Sequence, residues 1–245
     1  MGIVAMTNEE RFDEERAGRY DLWIRKTIPG YEALHDMAMF LLRTGTDAKN
    51  PRLLVAGSGT GMEISYFAER NAEWTFTGVD PSSEMTAIAG NRLEELGLSK
   101  RARLHTGFVH ELPATEPFDA ATLILVMHFL PDDGEKLALL ESISARMKPG
   151  SPFILADLHA EKDSPKLDRF IEAWKARQST TGITAEDLEK MFDDIHENIH
   201  FVPEERIVEL LEEAGFTETH RFYNAMLFGG WVARKGFRLR VSGFR

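Results

Sequence analysis

A glycine-rich turn directly after a short apolar run is the feature that most constrains the fold of this chain. The run is Arg52-Leu53-Leu54-Val55-Ala56, and glycines then occupy positions 57, 59 and 61. An apolar run without alternation is typical of a strand that is buried on both faces of a parallel sheet. Glycines let the backbone turn sharply and let a ligand approach it closely, because no Cβ is in the way. The pattern therefore predicts the first β-α unit of an α/β domain, with a ligand at the turn.

The spacing of the glycines disfavours a pyrophosphate ligand. A dinucleotide fingerprint needs a further glycine at position 62, which is Met62, and no Lys-Ser/Thr pair follows for a P-loop. Asp80 lies nineteen residues after Gly61, at the carboxyl end of the second predicted strand. An acid there can accept hydrogen bonds from both hydroxyls of a ribose. The alternatives are a turn made only for packing and an aspartate that caps the next helix.

Strands and helices alternate along most of the chain, which predicts one doubly wound α/β domain. The predicted strands are 52–56, 74–80, 103–107, 118–126, 153–158, 221–227 and 230–233. The predicted helices are 8–26, 31–49, 61–70, 81–98, 132–148, 165–178, 184–197 and 203–214. Only two residues separate the last two strands, too few for a crossover helix, so they should form an antiparallel pair.

The same pattern divides the domain into five parts. The single domain 1–245 has a helical cap at 1–50, a cofactor-binding core at 51–158, a helical lid insertion at 159–201, a final helix and hairpin at 202–236, and a basic tail at 237–245. The stretch 234–245 holds five cations and no acid, and is either a solvated tail, an expression scar or a basic arm.

Composition and charge limit the kinds of molecule that this protein is expected to bind. The chain has 29 Lys and Arg against 40 Asp and Glu, a net charge of −11 that opposes broad binding to a phosphate backbone. The absence of cysteine excludes disulfides, thiolate zinc sites and thiol nucleophiles. His196 and His200 are four residues apart without an evident third ligand, so no metal site is expected. No apolar run approaches the ~18 residues of a membrane helix, so we expect a cytoplasmic protein that does not bind membranes.

Four motifs carry a family resemblance. They are V-A-G-S-G-T-G-M-E at 55–63, V-D-P-S-S-E-M at 79–85, F-D-A-A-T-L-I-L-V-M-H-F-L at 118–130 and M-K-P-G at 147–150. In this order they resemble the motifs of class I S-adenosylmethionine-dependent methyltransferases. The resemblance implies a Rossmann-like, doubly wound sheet of seven strands with the last strand antiparallel, and S-adenosyl-L-methionine as the cofactor. I-R-K-T-I-P-G-Y at 24–31 and F-G-G-W-V-A-R-K at 228–235 are similar to the carboxy-S-adenosylmethionine synthases of the tRNA wobble-uridine pathway.

The resemblance to the methyltransferases also implies roles for the first two strand ends. Gly57, Ser58 and Gly59 would pass under the methionine portion of the cofactor. Asp80 would bind the ribose and Pro81 would lie beside the adenine.

Five further positions match cofactor contacts in these families. Phe108 and Val109 match the pair of residues that holds the adenine. Related enzymes often have an acid at the position of Phe108, which bonds the exocyclic amine of the adenine. Phe108 cannot make that bond, so we expect only stacking and backbone contacts to the adenine from this pair. Ile124 and Leu125 would offer backbone groups to the ammonium and carboxylate. Tyr31 matches a tyrosine that folds over the cofactor in the synthases, and from the residues alone it is a helix-packing side chain.

Methyl transfer from a sulfonium by in-line displacement depends mainly on positioning and on exclusion of water. A base is needed only if the acceptor must lose a proton. His128 follows the fourth predicted strand and is the candidate base, and the alternative is a histidine packed beneath the lid.

Six aromatic residues of the variable parts either line an acceptor pocket or pack in the core: Trp23, Phe170, Trp174, Phe192, Phe201 and Tyr223.

We therefore predict a methyltransferase that acts on a small-molecule acceptor, and we leave open whether it forms a homodimer. The alternatives are an enzyme like the carboxy-S-adenosylmethionine synthases and a non-catalytic S-adenosylmethionine-binding protein. The synthases depend on an arginine in the helix before the last hairpin, which pairs with the extra carboxylate of their product. Its counterpart here is Leu210, with Arg206 one helical turn earlier, which favours transfer of a plain methyl group.

Overall fold

Seven strands form one sheet in the order β3-β2-β1-β4-β5-β7-β6. They are β1 (Arg52–Ala56), β2 (Thr75–Asp80), β3 (Ala102–Thr106), β4 (Ala120–Ile124), β5 (Pro152–Leu158), β6 (Phe216–Ala225) and β7 (Phe228–Lys235). In this computed structural model, residues 14–114 and 116–237 are described. Strands β1 to β5 pair in parallel, whereas β7 is antiparallel to both β5 and β6. The predicted doubly wound sheet with an antiparallel last strand is confirmed.

Eight helices connect or flank the strands of the described chain. They are α1 (Glu14–Thr27), α2 (Tyr31–Gly45), α3 (Met62–Arg70), α4 (Ser83–Glu95), α5 (Glu135–Ser144), α6 (Pro165–Gln178), α7 (Ala185–Asn198) and α8 (Glu204–Glu213). Two short 3₁₀ helices span Val109–Glu111 and Met127–Phe129. None of the described helices is both long and apolar enough to cross a membrane. The predicted helix start at Asn8 and the tail residues 238–245 lie outside the described residues.

Among the element boundaries that differ from the prediction, two have identifiable physical reasons. Strand β6 begins at Phe216 rather than at 221, because its first half lies at the sheet edge and carries polar residues that give no apolar signal. Helix α5 begins at Glu135 rather than at 132, because Gly134 adopts φ +117° immediately before it and so interrupts the helical path.

Both faces of the sheet are buried, which explains the apolar run at its centre. In β1, Leu53 and Val55 pack against the cluster that contains α1, α2, α3, α6 and α7. Leu54 and Ala56 point to the opposite cluster, which contains α5 and α8. Strand β1 lies between β2 and β4, so the chain order reverses there and the carboxyl ends of these strands border one crevice.

The helical insertion is packed onto the end of α1. The carbonyl oxygen of Thr27 accepts hydrogen bonds from Trp174 Nε1 and Gln178 Nε2, each at 3.0 Å. Trp174 is fully buried and meets the rings of Phe192 and Phe228 edge-on. The two predicted helices of the insertion are therefore present as α6 and α7, and Trp174 and Phe192 pack in the core.

A carboxyl group is buried between α3 and β4. Glu63, in the first turn of α3, accepts a hydrogen bond from the hydroxyl of Thr122, which is itself fully buried. Burial raises the pKa of Glu63 from an ordinary 4.5 to about 7, and the Thr122 hydrogen bond opposes this shift only in part. The buried carboxyl is consequently neutral in mildly acidic solution.

We expect Trp174→Phe to lower the free energy of unfolding by about 1–3 kcal/mol, since it removes the bond to Thr27 and leaves unfilled volume in the core. Urea denaturation measures this loss. Glu172→Ala, on the exposed side of α6, is the matched control. An equal loss in the two variants would contradict a stabilising tie between α1 and the insertion.

Glu63→Gln should remove the loss of folding stability that ionisation of the buried Glu63 carboxyl causes as the pH rises. Below pH 4.5 the carboxyl is protonated in both states, but as pH rises the unfolded chain ionises first and the folded chain only near pH 7. The stability that neutral Glu63 contributes is therefore full below 4.5 and is lost as pH rises through about 7. The free energy of unfolding of Glu63→Gln relative to the native chain should rise by about 3 kcal/mol over this range. Chemical denaturation across it is the measurement, and Glu69→Gln, exposed on the same helix, should show no such rise.

Candidate active site

The glycine turn is pinned to the neighbouring strand. The N–H groups of Gly57 and Ser58 both donate to the carbonyl of Val79 in β2, at 2.8 and 3.0 Å. Gly57 has φ +71°, and a Cβ at this position would lie 2.2 Å from Val126 Cγ2. Gly59 also has a positive φ, but no heavy atom lies within 4 Å of the place its Cβ would take. Gly57 is thus required by packing, whereas open space lies over Gly59.

Asp80 is the last residue of β2 and supports the same turn. Its Oδ2 accepts the Gly59 N–H at 2.8 Å and its Oδ1 accepts the Ser82 N–H at 3.0 Å. Burial raises the pKa of Asp80, and these two backbone hydrogen bonds oppose the shift. A carboxylate offers about four acceptor positions, so about two are left for other donors.

One hydroxyl of the turn is buried without a partner. Ser58 Oγ makes no hydrogen bond within residues 14–114 and 116–237, although it is shielded from solvent. Buried hydroxyls are normally hydrogen-bonded, because burying one unpaired is costly.

The residues after β2 and β3 form the side of the crevice next to the turn. Pro81 is exposed directly after Asp80. The Phe108 ring is 56% exposed and stacks on His110 at 5.6 Å between centroids. The Val109 side chain is buried in the core. Glu111, which sequence reasoning did not identify, accepts the Phe108 N–H at 2.7 Å.

The end of β4 and the start of α2 carry the remaining candidates. Ile124 is buried at the end of β4. Leu125 has φ +60°, and its N–H donates to the Ala156 carbonyl at 2.7 Å. That N–H is therefore not available to a ligand, and of the Leu125 backbone groups only the carbonyl remains to contact the cofactor. Tyr31 begins α2, is buried, and packs its ring on His35 at 4.3 Å.

His128 is held by an acid from the adjacent strand. Its Nδ1 is hydrogen-bonded to Asp157 Oδ1, and its backbone N–H donates to Asp157 Oδ2 at 3.0 Å. Both side chains are buried, and His128 Nε2 has no hydrogen-bond partner in the described part of the chain. Asp157 was missed at the sequence level, although an acid within the otherwise apolar strand 153–158 was a usable signal.

A buried lysine lies behind this pair. Lys136 is 1% exposed, and its Nζ donates to the Met127 carbonyl at 2.7 Å. Burial lowers the pKa of Lys136, and the negative charges of Asp157 and Asp132 oppose that shift. The lysine thus places a cation near Asp157 and fixes the 3₁₀ turn that carries His128.

Helix α1 is attached directly to the glycine turn. Asp21 Oδ1 accepts the Thr60 hydroxyl at 2.7 Å, and its other oxygen pairs with the Arg92 guanidinium. Arg92 also donates to the Thr60 carbonyl at 2.8 Å. Sequence reasoning found none of these three residues, because their partners are 32 to 71 positions apart.

The two histidines considered as metal ligands are both exposed. The His200 backbone N–H donates to the His128 carbonyl at 2.8 Å, which ties the end of the insertion to the turn after β4. Across residues 14–114 and 116–237, no three histidine, aspartate or glutamate side chains are grouped to bind a metal ion.

Comparisons with known proteins bear on the family and the fold of this chain. A carboxy-S-adenosyl-L-methionine synthase from Dichelobacter nodosus is 25% identical over 92% of both chains. An uncharacterised Synechococcus protein is 32% identical over 50% of this chain and 30% of its own length. The apo structure of the S-adenosylmethionine-dependent methyltransferase SibL superposes with a TM-score of 0.60 at 17% identity, over 93% of this chain and 63% of SibL. The chain thus spans less than two thirds of the length of the last two proteins.

The family comparison extends beyond the crevice. A family model described as a methyltransferase domain matches residues 30–221, from the start of α2 into β6. That span includes the glycine turn, Asp80, His128 and the helical insertion. The chain therefore belongs to the methyltransferase-domain family, whose cofactor is S-adenosylmethionine.

Proposed function

We propose that this protein transfers a methyl group from S-adenosylmethionine to a small-molecule acceptor. The observation that carries the proposal is the open space over Gly59, bordered by the carboxylate of Asp80. When bound, the cofactor supplies an electrophilic methyl group on a sulfonium sulfur. The net charge of −11 favours a small acceptor over a nucleic acid.

The residues of the turn fit the cofactor. Gly57, Ser58 and Gly59 would hold the methionine portion, and the unpartnered Ser58 hydroxyl could bond its polar end. Asp80 would accept both ribose hydroxyls with the acceptor positions that the Gly59 and Ser82 N–H groups leave. Pro81, exposed beside it, would contact the adenine.

The other positions would complete the cofactor site. The exposed Phe108 ring can stack on the adenine, whereas Val109, whose side chain is buried, would contribute only backbone. Ile124 and Leu125 would contribute backbone carbonyls, because the Leu125 N–H is already used. Tyr31 would cover the cofactor from the start of α2.

His128 would act as the general base for an acceptor that must lose a proton. The bond from Asp157 holds the imidazole by Nδ1, which leaves Nε2 to receive the proton. Asp157 acts through His128 and is a positioning residue, and it stabilises the imidazolium that forms. The burial of both side chains supports this arrangement, since electrostatic interactions strengthen away from water.

The insertion 159–201 would form the acceptor side of the site and exclude water. Its bonds to Thr27, together with the bonds of Asp21 to Thr60 and Arg92, connect it through α1 to the glycine turn. The predicted cap at 1–50, core at 51–158 and insertion at 159–201 would thus move together when ligands bind.

The last helix supports transfer of a methyl group and not a carboxymethyl group. Leu210, the counterpart of the arginine in the synthases, is fully buried in the core between α8 and the sheet. Arg206 is held by Asp132, Glu209 and Glu213 at 2.9, 3.2 and 2.8 Å, and these acids raise its pKa. With three carboxylates around it, Arg206 would not bind a fourth.

Asp80→Ala should weaken S-adenosylmethionine binding by about 1.5–3 kcal/mol, because the bonds to the ribose hydroxyls are lost. Isothermal titration calorimetry measures the affinity, and thermal unfolding shows that the variant is folded. Glu94→Ala removes an exposed carboxylate from α4 and should bind as the native chain does. Unchanged affinity of Asp80→Ala would remove this residue from the site.

The cofactor that copurifies with the protein should have the mass of S-adenosylmethionine or S-adenosylhomocysteine. The reason is that neither Leu210 nor Arg206 provides a free cation for an additional carboxylate. Mass spectrometry of the extracted ligand decides this. Carboxy-S-adenosylmethionine, either copurified or formed from S-adenosylmethionine and prephenate, would support the synthase reaction instead. Binding without S-adenosylhomocysteine formation in any cell extract would support a non-catalytic binding protein.

A further inference from the structure

A cleft of about 480 Å³ lies at the carboxyl end of β5, outside the cofactor crevice. The start of α6, the start of α8 and the turn between β6 and β7 form its walls. We call it the β5 cleft, and its main lining residues are His159, Lys166, Phe170, Glu205, Arg221 and Leu227. Its volume suits a small organic molecule.

The β5 cleft is connected to the candidate base through β5 itself. His159 follows Asp157 by two residues, so the two side chains lie on the same side of the chain about 7 Å apart along it. Asp157 holds His128, and Val126, two residues before His128, packs against Gly57. Along this edge of the sheet, the glycine turn, the base and the cleft therefore follow one another at β1, β4 and β5.

The charges that line the cleft favour a cation. Arg221 is neutralised by an ion pair with Glu204. Glu161, Glu205 and Lys166 also line the cleft and make no ion pair among the described residues. Two unpaired carboxylates against one ammonium leave an excess negative charge, which attracts a ligand with a protonated amine and repels one with a carboxylate.

The rest of the lining is apolar or neutral. Leu167, Phe170 and Leu227 offer an apolar wall. Burial lowers the pKa of His159, and the negative charge of Glu204 opposes this shift only in part, so the imidazole adds no positive charge near neutral pH. His159 Nε2 is shielded from solvent and has no hydrogen-bond partner in the described chain, and the ring packs edge-on against Trp231 at 5.2 Å between centroids.

We propose that the β5 cleft binds one end of the acceptor and that this end is a protonated amine with an apolar body. This rests on the proposed methyltransferase function. Neither His128 nor any candidate cofactor contact lines the cleft, so the cleft would hold the charged end of the acceptor while its reacting atom lies in the crevice.

The test uses two probes that share a phenylethyl body and carry head groups of opposite charge, 2-phenylethylamine and 3-phenylpropanoate. Their binding to the full chain with S-adenosylhomocysteine present is measured by calorimetry, after S-adenosylhomocysteine affinity has been measured alone. We expect the amine to bind and the carboxylate not to bind. Glu205→Gln should weaken amine binding about threefold, and the matched Lys166→Gln should tighten it about twofold, since each changes one exposed charge. Leu167→Trp should fill the cleft and lower amine affinity more than tenfold.

These results separate the two proposals. If the native chain does not bind S-adenosylhomocysteine, the proposed function is overturned, independently of the result with the two probes. If that binding is intact, preference for 3-phenylpropanoate, or no binding of either probe, would overturn the amine assignment. Amine binding that Leu167→Trp leaves unchanged would place the amine outside the β5 cleft and overturn the inference. The variants should keep native S-adenosylhomocysteine affinity, because none of them contacts the glycine turn.

Discussion

The attachment of the glycine turn to β2 is the constraint on which the candidate site depends. Val79 accepts the N–H groups of Gly57 and Ser58, and Asp80 accepts that of Gly59, so the end of one strand sets the shape of the turn after its neighbour. These bonds need both strands parallel and in register, which the burial of apolar side chains on both faces of the sheet provides. A ligand placed over Gly59 would therefore meet a preformed backbone surface.

The end of one strand also positions a side chain that follows its neighbouring strand on the proposed acceptor side of the sheet. Asp157 on β5 orients His128 after β4, because the two strands are neighbours and their ends meet. Lys136 and the His200 backbone hold the turn that carries this histidine, one from α5 and one from the end of the insertion. His128 is thus positioned by groups from three other elements, which ties the proposed chemistry to the fold.

Much of this organisation could be predicted from local sequence. The apolar run 52–56, the three glycines and Asp80 follow from the preferences of buried strands and tight turns, and the structure places them together. The two helices of the insertion were predicted, and the structure shows that Ser164 and Thr184 cap them and that Pro165 begins the first. The first half of β6 was missed, because an edge strand with polar side chains lacks the apolar pattern that marks a central one.

By itself, the sequence determined the fold class, the position of the glycine turn and the family resemblance, because these depend on residue types at short, regular spacing. Only the tertiary structure decided that Asp157 holds His128, that Asp21 and Arg92 clamp α1 onto Thr60, and that Arg206 is occupied by three acids. The physical reason is that these contacts join residues whose separation along the chain carries no information about their distance in space. Hydrogen bonds and ion pairs act over a few ångströms, and only the packing of helices on both faces of the sheet brings such groups that close.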